Sequence, residues 1–200
     1  MKNVLFVCTG NTCRSPMAEA ILKSKASDRY LVKSAGVFAV PGQTAHPHAQ
    51  KVLKDRGIKV HHRSQNVTSE LVSWADVILT MTQGHKKALL QKYPEAIMKT
   101  MTLKEYIEPD SSWEEWQKVV ADYETKQAVY KQAHSNQKLD GNKKKALKQE
   151  VDEAFVKVKD LESQWTDLDI ADPYGASVET YEMVCRELEE LIDRLLEKDV

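Results

Sequence analysis

Residues 4–20 read VLFVCTGNTCRSPMAEA. The run Val4, Leu5, Phe6, Val7 and Cys8 has no polar interruption, as a parallel strand buried on both faces requires. It breaks into Thr-Gly-Asn-Thr-Cys-Arg. A helical sequence follows, with Ser15 as N-cap, Pro16 at the first helical position and Glu19 in the first turn. Strand, loop and helix in immediate succession are the first unit of an α/β fold.

The pattern repeats outward from there. YLVKSAG (30–36) reads as a second strand and HPHAQKVLKDRG (46–57) as a helix closed by Gly57. ADVILTMT (75–82) reads as a third buried strand, and QGHKKALLQKYP (83–94) as a helix ended by Pro94. IMKTMTL (97–103) is the fourth strand. Residues 177–198 place Val178, Tyr181, Val184, Cys185, Leu188, Leu191, Ile192 and Leu195 at helical spacing. Alternating strands and helices predict an α/β fold with a parallel sheet.

One region departs from the alternation. From Trp113 to about Trp165 there is no strand signal and charge is dense. Trp113, Trp116, Val120, Tyr123 and Tyr130 form one helical stripe. Leu147, Val151, Phe155, Val158, Leu161 and Trp165 form another, and the turn-rich SNQKLDGNKK lies between. The expectation is one domain over residues 1–200 with an antiparallel helical hairpin inserted at about 113–165. The stripes either zip the hairpin together or offer a docking surface for a partner or a second subunit.

Bulk properties narrow the classes. The chain has 200 residues and a formal net charge of −1. That balance points to neither nucleic acid nor an anionic membrane as a partner. The apolar run after Met-Lys-Asn is too short for a signal segment, and no stretch approaches the ~20 residues of a membrane span. A cytoplasmic location is expected. Cys8, Cys13 and Cys185 are an odd, low cysteine count, which argues against a disulfide framework. The pairs His46/His48 and His61/His62 lack further ligands at a metal-site spacing, so neither metal nor cofactor is expected.

The loop between strand and helix carries the chemistry. Successive backbone N–H groups of Thr9, Gly10, Asn11, Thr12 and Cys13 can converge on an anion there, and the helix N-terminus adds partial positive charge. Gly10 and Asn11 tolerate positive φ. Arg14 supplies a planar fork that matches two oxygens of a phosphoryl group. Cys8 would sit beneath the anion, where the same field favours thiolate, the nucleophile for phosphoryl transfer. Ser15 can donate a hydrogen bond to that sulfur. A buried structural cysteine beside an unrelated arginine is the plainer alternative, but it leaves the Gly-Asn pair and Ser15 without a role.

At this point VCTGNTCRSPMAEA resembles the phosphate-binding loop of the low-molecular-weight protein tyrosine phosphatases and their bacterial arginine phosphatase branch. SAG (34–36), HRS (62–64), WADVILTMT (74–82) and IADPYG (170–175) extend the resemblance over about 1–110 and 166–200. It does not cover the helical insert, which is not typical of the family. The resemblance implies a flavodoxin-like fold with a four-stranded parallel sheet. It also implies phosphorylated protein substrates and a phosphocysteine intermediate on Cys8. Asp172 becomes the general acid and then the base, Pro173 stiffens its backbone, and Asn11, Ser34 and His62 hold the loop through hydrogen bonds.

Within that family, tyrosine phosphatases usually carry a larger aliphatic residue at the position of Thr12, and arginine phosphatases carry threonine. A threonine hydroxyl can bond a substrate nitrogen or orient water. Gly175 replaces a second aromatic often found in the tyrosine enzymes, leaving Tyr174 as a single wall, with Phe38 opposite. Arginine phosphatase is the expectation, with tyrosine phosphatase as the alternative. A silent phosphate-binding module and a thioredoxin-coupled arsenate reductase are the further alternatives. The reductase needs relay cysteines in a later loop, and the only cysteine beyond Cys8 and Cys13 is Cys185, on an amphipathic helix. Cys13 is read as a redox partner of Cys8 or as packing behind the loop.

Overall fold

The computed structural model describes residues 1–107, 112–135, 140–163 and 168–198. Two compact units divide the chain, residues 1–108 with 168–200, and residues 109–167.

The first unit holds β1 (Lys2–Cys8), α1 (Arg14–Ala26), β2 (Tyr30–Gly36), α2 (Pro47–Lys54), α3 (Ser69–Trp74), β3 (Val77–Thr80), α4 (Gln83–Lys92), β4 (Thr100–Thr102) and α5 (Leu103–Ile107). The second unit holds α6 (Ser112–Ser135) and α7 (Gly141–Ser163), after which α8 (Val178–Lys198) returns to the first. The sheet is four-stranded and all parallel, in the order β2–β1–β3–β4.

The unbroken apolar run of β1 is explained by its central place. Val4, Phe6 and Cys8 join one core with Met17, Ile21 and Leu22 of α1 and Tyr181 and Leu188 of α8. Leu5 and Val7 point the other way and join Leu71 and Val72 of α3 and Leu89 of α4. Each fully buried aliphatic side chain of this kind contributes about 1.5–3 kcal/mol. Cys185 lies in the first core, completely buried, with its thiol pushed up to about 11 by that burial.

From β1 the chain crosses to β2 on one side, then to β3 on the other. The loops leaving the C-terminal ends of β1 and β3 therefore diverge and open a crevice, where α/β sheets bind ligands.

Several boundaries differ from the sequence expectation. α1 begins at Arg14 with Cys13 at the N-cap position and no side-chain cap. Ser15 is thus not the N-cap, because its hydroxyl is committed to Cys8. The fourth strand is only three residues long, since Pro94–Lys99 forms a 3-10 turn. The apolar letters there were misleading, with Met98 53% exposed. The short helices α3 and α5 have no clear periodic signal of their own.

In the second unit, α6 and α7 pair along their length, each about 35 Å long at 1.5 Å per residue. The α7 stripe departs from expectation at one position. Ala154 is buried and Phe155 is 45% exposed. Leu147, Val151, Ala154, Val158 and Leu161 follow a four-three heptad spacing, so Ala154 faces the partner helix and Phe155 falls beside the seam. The Phe155 ring still meets Tyr123 at 5.7 Å between centroids. Trp165, the Trp113 side chain and residues 136–139 of the expected break lie outside the described residues.

Candidate active site

Cys8 ends β1 and Arg14 opens α1, so the intervening loop lies at the crevice. Its carbonyls, apart from that of Gly10, are all engaged by the protein. Cys8 O accepts from Val37 N (2.9 Å), Thr9 O from Phe38 N (3.0 Å), Thr12 O from His46 N (2.8 Å) and Cys13 O from Met17 N (3.1 Å). Asn11 O accepts from His62 Nε2 (2.7 Å). Among the described residues, none of the N–H groups of Thr9–Cys13 donates to any protein atom. A loop with its carbonyls satisfied and its amides unsatisfied is built for an anion, since buried donors need partners.

Asn11 fixes the shape of the loop. It is completely buried with φ +55°, a left-handed conformation that asparagine tolerates. Its Nδ2 donates to Ser15 Oγ (2.9 Å) and Ser34 Oγ (2.8 Å), and its Oδ1 accepts from Gln65 N (3.0 Å). Ser34 in turn donates to Glu19 Oε2. The expected supports Asn11, Ser34 and His62 are thus all brought together. Gly10 is not in the left-handed region, so only Asn11 takes positive φ in this loop. Gly36 is the glycine that the loop demands, because a Cβ there would lie 2.4 Å from Thr9 O.

Cys8 Sγ lies 2.9 Å from Ser15 Oγ, as the spacing of the two residues anticipated. Arg14 is buried, and its fork is occupied. Nη1 donates to Ile170 O (3.1 Å) and Nη2 to Asp172 Oδ2 (2.6 Å). The side chain of Asp172 is half-exposed. Its other oxygen, Oδ1, accepts from Tyr174 N (3.1 Å), a short turn that Gly175 completes at φ +78°. Arg14 and Asp172 therefore meet although 158 positions separate them.

Thr12 is half-buried, with Oγ1 3.6 Å from Cys13 Sγ. Cys13 is buried and lies 3.2 Å from Tyr181 Oη, and burial pushes its thiol up. Tyr174 and Phe38 are 71% and 75% exposed.

Three contributors had no sequence signal pointing to this site. Tyr181 reads as a core position of α8, yet its hydroxyl reaches Cys13 and its ring stacks on His46 at 4.9 Å. His46 also lies edge-on to Tyr174 at 5.9 Å. His85 bridges Thr9 Oγ1 (2.8 Å) and Thr82 Oγ1 (2.9 Å). Only its place three residues after the cap Thr82 could have drawn attention, and that spacing marks a helix start rather than a site.

Comparison with known proteins agrees with this geometry. A family model described as low molecular weight phosphotyrosine protein phosphatase matches residues 3–136. A protein-arginine-phosphatase of Geobacillus stearothermophilus is 38% identical over 195 residues, 98% of this chain and 94% of the relative. One of Bacillus subtilis is 47% identical over 108 residues, 52% of this chain and 72% of the relative. A solved structure of an active-site mutant of YwlE arginine phosphatase, with a phosphorylated active-site serine, superposes with a TM-score of 0.67. It is 31% identical and covers 98% of this chain and 94% of that one. On these grounds the chain belongs to the low molecular weight phosphotyrosine protein phosphatase family and is a cysteine-dependent phosphatase.

Proposed function

We propose that the chain is a protein-arginine phosphatase that hydrolyses phosphoarginine on proteins through a phosphocysteine. The observation that carries the catalytic part is the set of unsatisfied N–H groups of Thr9–Cys13 beside Cys8 and Arg14. Thr12 in that cradle supports the arginine substrate, together with an acid loop that carries a single aromatic, Tyr174, before Gly175. The similarity to relatives named protein-arginine-phosphatase points the same way.

The geometry supports the following roles. The loop amides and Arg14 hold the phosphoryl oxygens. Cys8 Sγ forms a bond to phosphorus as the P–N bond breaks. Asp172 gives its proton to the departing guanidino nitrogen. Asp172 then takes a proton from the water that attacks phosphorus, and the S–P bond breaks to release phosphate. Ser15 steadies the sulfur in both steps. Asp172 Oδ2 accepts from Arg14 Nη2, a donor that a phosphoryl oxygen also suits. A phosphoryl group that takes that donor frees Asp172 for the leaving group, so substrate binding and acid placement are one event.

The second reading, a tyrosine phosphatase, draws on the exposed rings of Phe38 and Tyr174, which suit a phenol. Phosphate release from phosphoarginine and phosphotyrosine peptides by wild type and Thr12→Ile separates them. Preference of wild type for phosphotyrosine, or an unchanged ratio in the variant, removes the arginine assignment.

Two subsidiary roles are part of the proposal. Cys13 captures oxidised Cys8 as a disulfide before irreversible oxidation. Peroxide followed by thiol should restore wild type and not Cys13→Ala, and equal recovery removes the role. The helical pair α6–α7, with Val129, Phe155 and Val156 exposed, docks protein substrates. Replacing residues 113–163 with a short linker should then lower turnover of proteins but not of small substrates, and equal turnover of both rejects docking.

A further inference from the structure

His85 is the third residue of α4, the helix that follows β3 across the crevice from the phosphate loop. Its ring is 7% exposed. Nε2 lies 2.8 Å from Thr9 Oγ1 and Nδ1 lies 2.9 Å from Thr82 Oγ1. Thr82 Oγ1 also accepts from the His85 backbone N at 3.1 Å, which locks the ring to the start of the helix. Both ring nitrogens are therefore used, one toward a scaffold that the sheet fixes and one toward the residue directly after the nucleophile.

We propose that His85 is a positioning residue of the phosphate loop, acting through the Thr9 hydroxyl. Thr9 is then gripped from two sides, by His85 at its side chain and by Phe38 N at its carbonyl. With both held, the Cys8–Thr9–Gly10 backbone keeps one orientation and its N–H groups stay turned to the anion. A neutral imidazole offers one donor and one acceptor, which serve the two hydroxyls together. A cationic ring would lose its acceptor, and burial and then Arg14 hold His85 neutral against the weaker pull of Asp172 and Asp169. The role rests on the loop being the anion cradle.

The test is a double-mutant cycle with His85→Leu, Thr9→Val and the pair, and His85→Asn as partial rescue. The readouts are the inhibition constant for inorganic phosphate, kcat and KM on phosphoarginine substrate, and thermal stability. Each single change should weaken phosphate inhibition by up to about tenfold, the worth of one part-buried hydrogen bond to an ordered site. The double variant should be no worse than either single one, and His85→Asn should recover part of the loss. Multiplying losses in the double variant, or a stability change with phosphate inhibition unmoved, overturns the role of His85. Absence of phosphate inhibition in wild type would overturn the cradle itself, and the role of His85 with it.

Discussion

The phosphate loop and the acid loop meet at Arg14 but are built in opposite ways. In the phosphate loop Cys8, Asn11 and Cys13 are buried while Thr9 is exposed, and every carbonyl from Cys8 to Cys13 except that of Gly10 accepts a hydrogen bond from the protein. Asn11 alone makes three side-chain hydrogen bonds. The acid loop is anchored behind its functional residue, through Ile170 N to Met81 O and Gln83 N to Asp169 Oδ1. Beyond that anchor Asp172 is half-exposed and Tyr174 mostly exposed. The difference fits the tasks proposed for them. Anion binding gains from donors that need no reorganisation. An acid that serves both the leaving group and the attacking water gains from being reached by solvent and released from its resting partner.

The sharpest way to break that contrast is at the nucleophile. Cys8→Ser should lower kcat by roughly 10⁴-fold or more, as loss of a nucleophile does, and acid-quenched mass spectrometry should find no phosphocysteine. Retained turnover would mean that the loop only binds. Asp172→Asn should lower kcat by about 10²–10⁴-fold, the range for a general acid. Inorganic phosphate should then inhibit more tightly, because Arg14 loses its resting carboxylate. Weaker inhibition would show that Asp172 does not compete with the phosphoryl group for Arg14.

Stability separates the two loops next. Asn11→Ala removes three buried hydrogen bonds and leaves alanine at positive φ, an expected loss of about 2–4 kcal/mol in denaturant unfolding. Tyr174→Ala should leave unfolding unchanged within about 0.5 kcal/mol, as for an exposed side chain, while KM rises. Equal losses in the two variants would remove the contrast. A further effect is expected on pH. His85 titrates at about 4 in the folded protein against 6.5 ordinarily, because burial and then Arg14 disfavour its cation. The unfolded chain binds the proton more readily, so stability is full above pH 6.5 and falls as pH drops toward 4. His85→Asn should flatten the slope of melting temperature against pH in that window.

Local order was legible wherever the chain's own neighbours enforce it. VLFVC gave a strand at its true place because both of its faces are buried, and YLVKSAG because its first residues alternate buried and exposed, as an edge strand with one face on the core does. Phe155 was misplaced because its hydrophobicity outweighed a heptad spacing that favours Ala154. IMKTMTL overstated β4 because apolar letters do not show which of them stay in water. At the site, Asn11, Ser34 and His62 could be named through resemblance, whereas Gly36, Tyr181 and His85 act through contacts that no local pattern encodes.

The sequence by itself determined the chemistry available: a cysteine after a strand, an arginine at a helix start, a serine within reach, and an aspartate before proline near the far end. Spacing suffices for the first three because they share one loop, and eight consecutive residues have few ways to be apart. Only the tertiary structure decided that Asp172 rests on Arg14, that Gly36 lets the loop lie against β2, and that His85 grips Thr9. Those contacts join residues 27 to 158 positions apart, and their partners are chosen by how the sheet orders its strands.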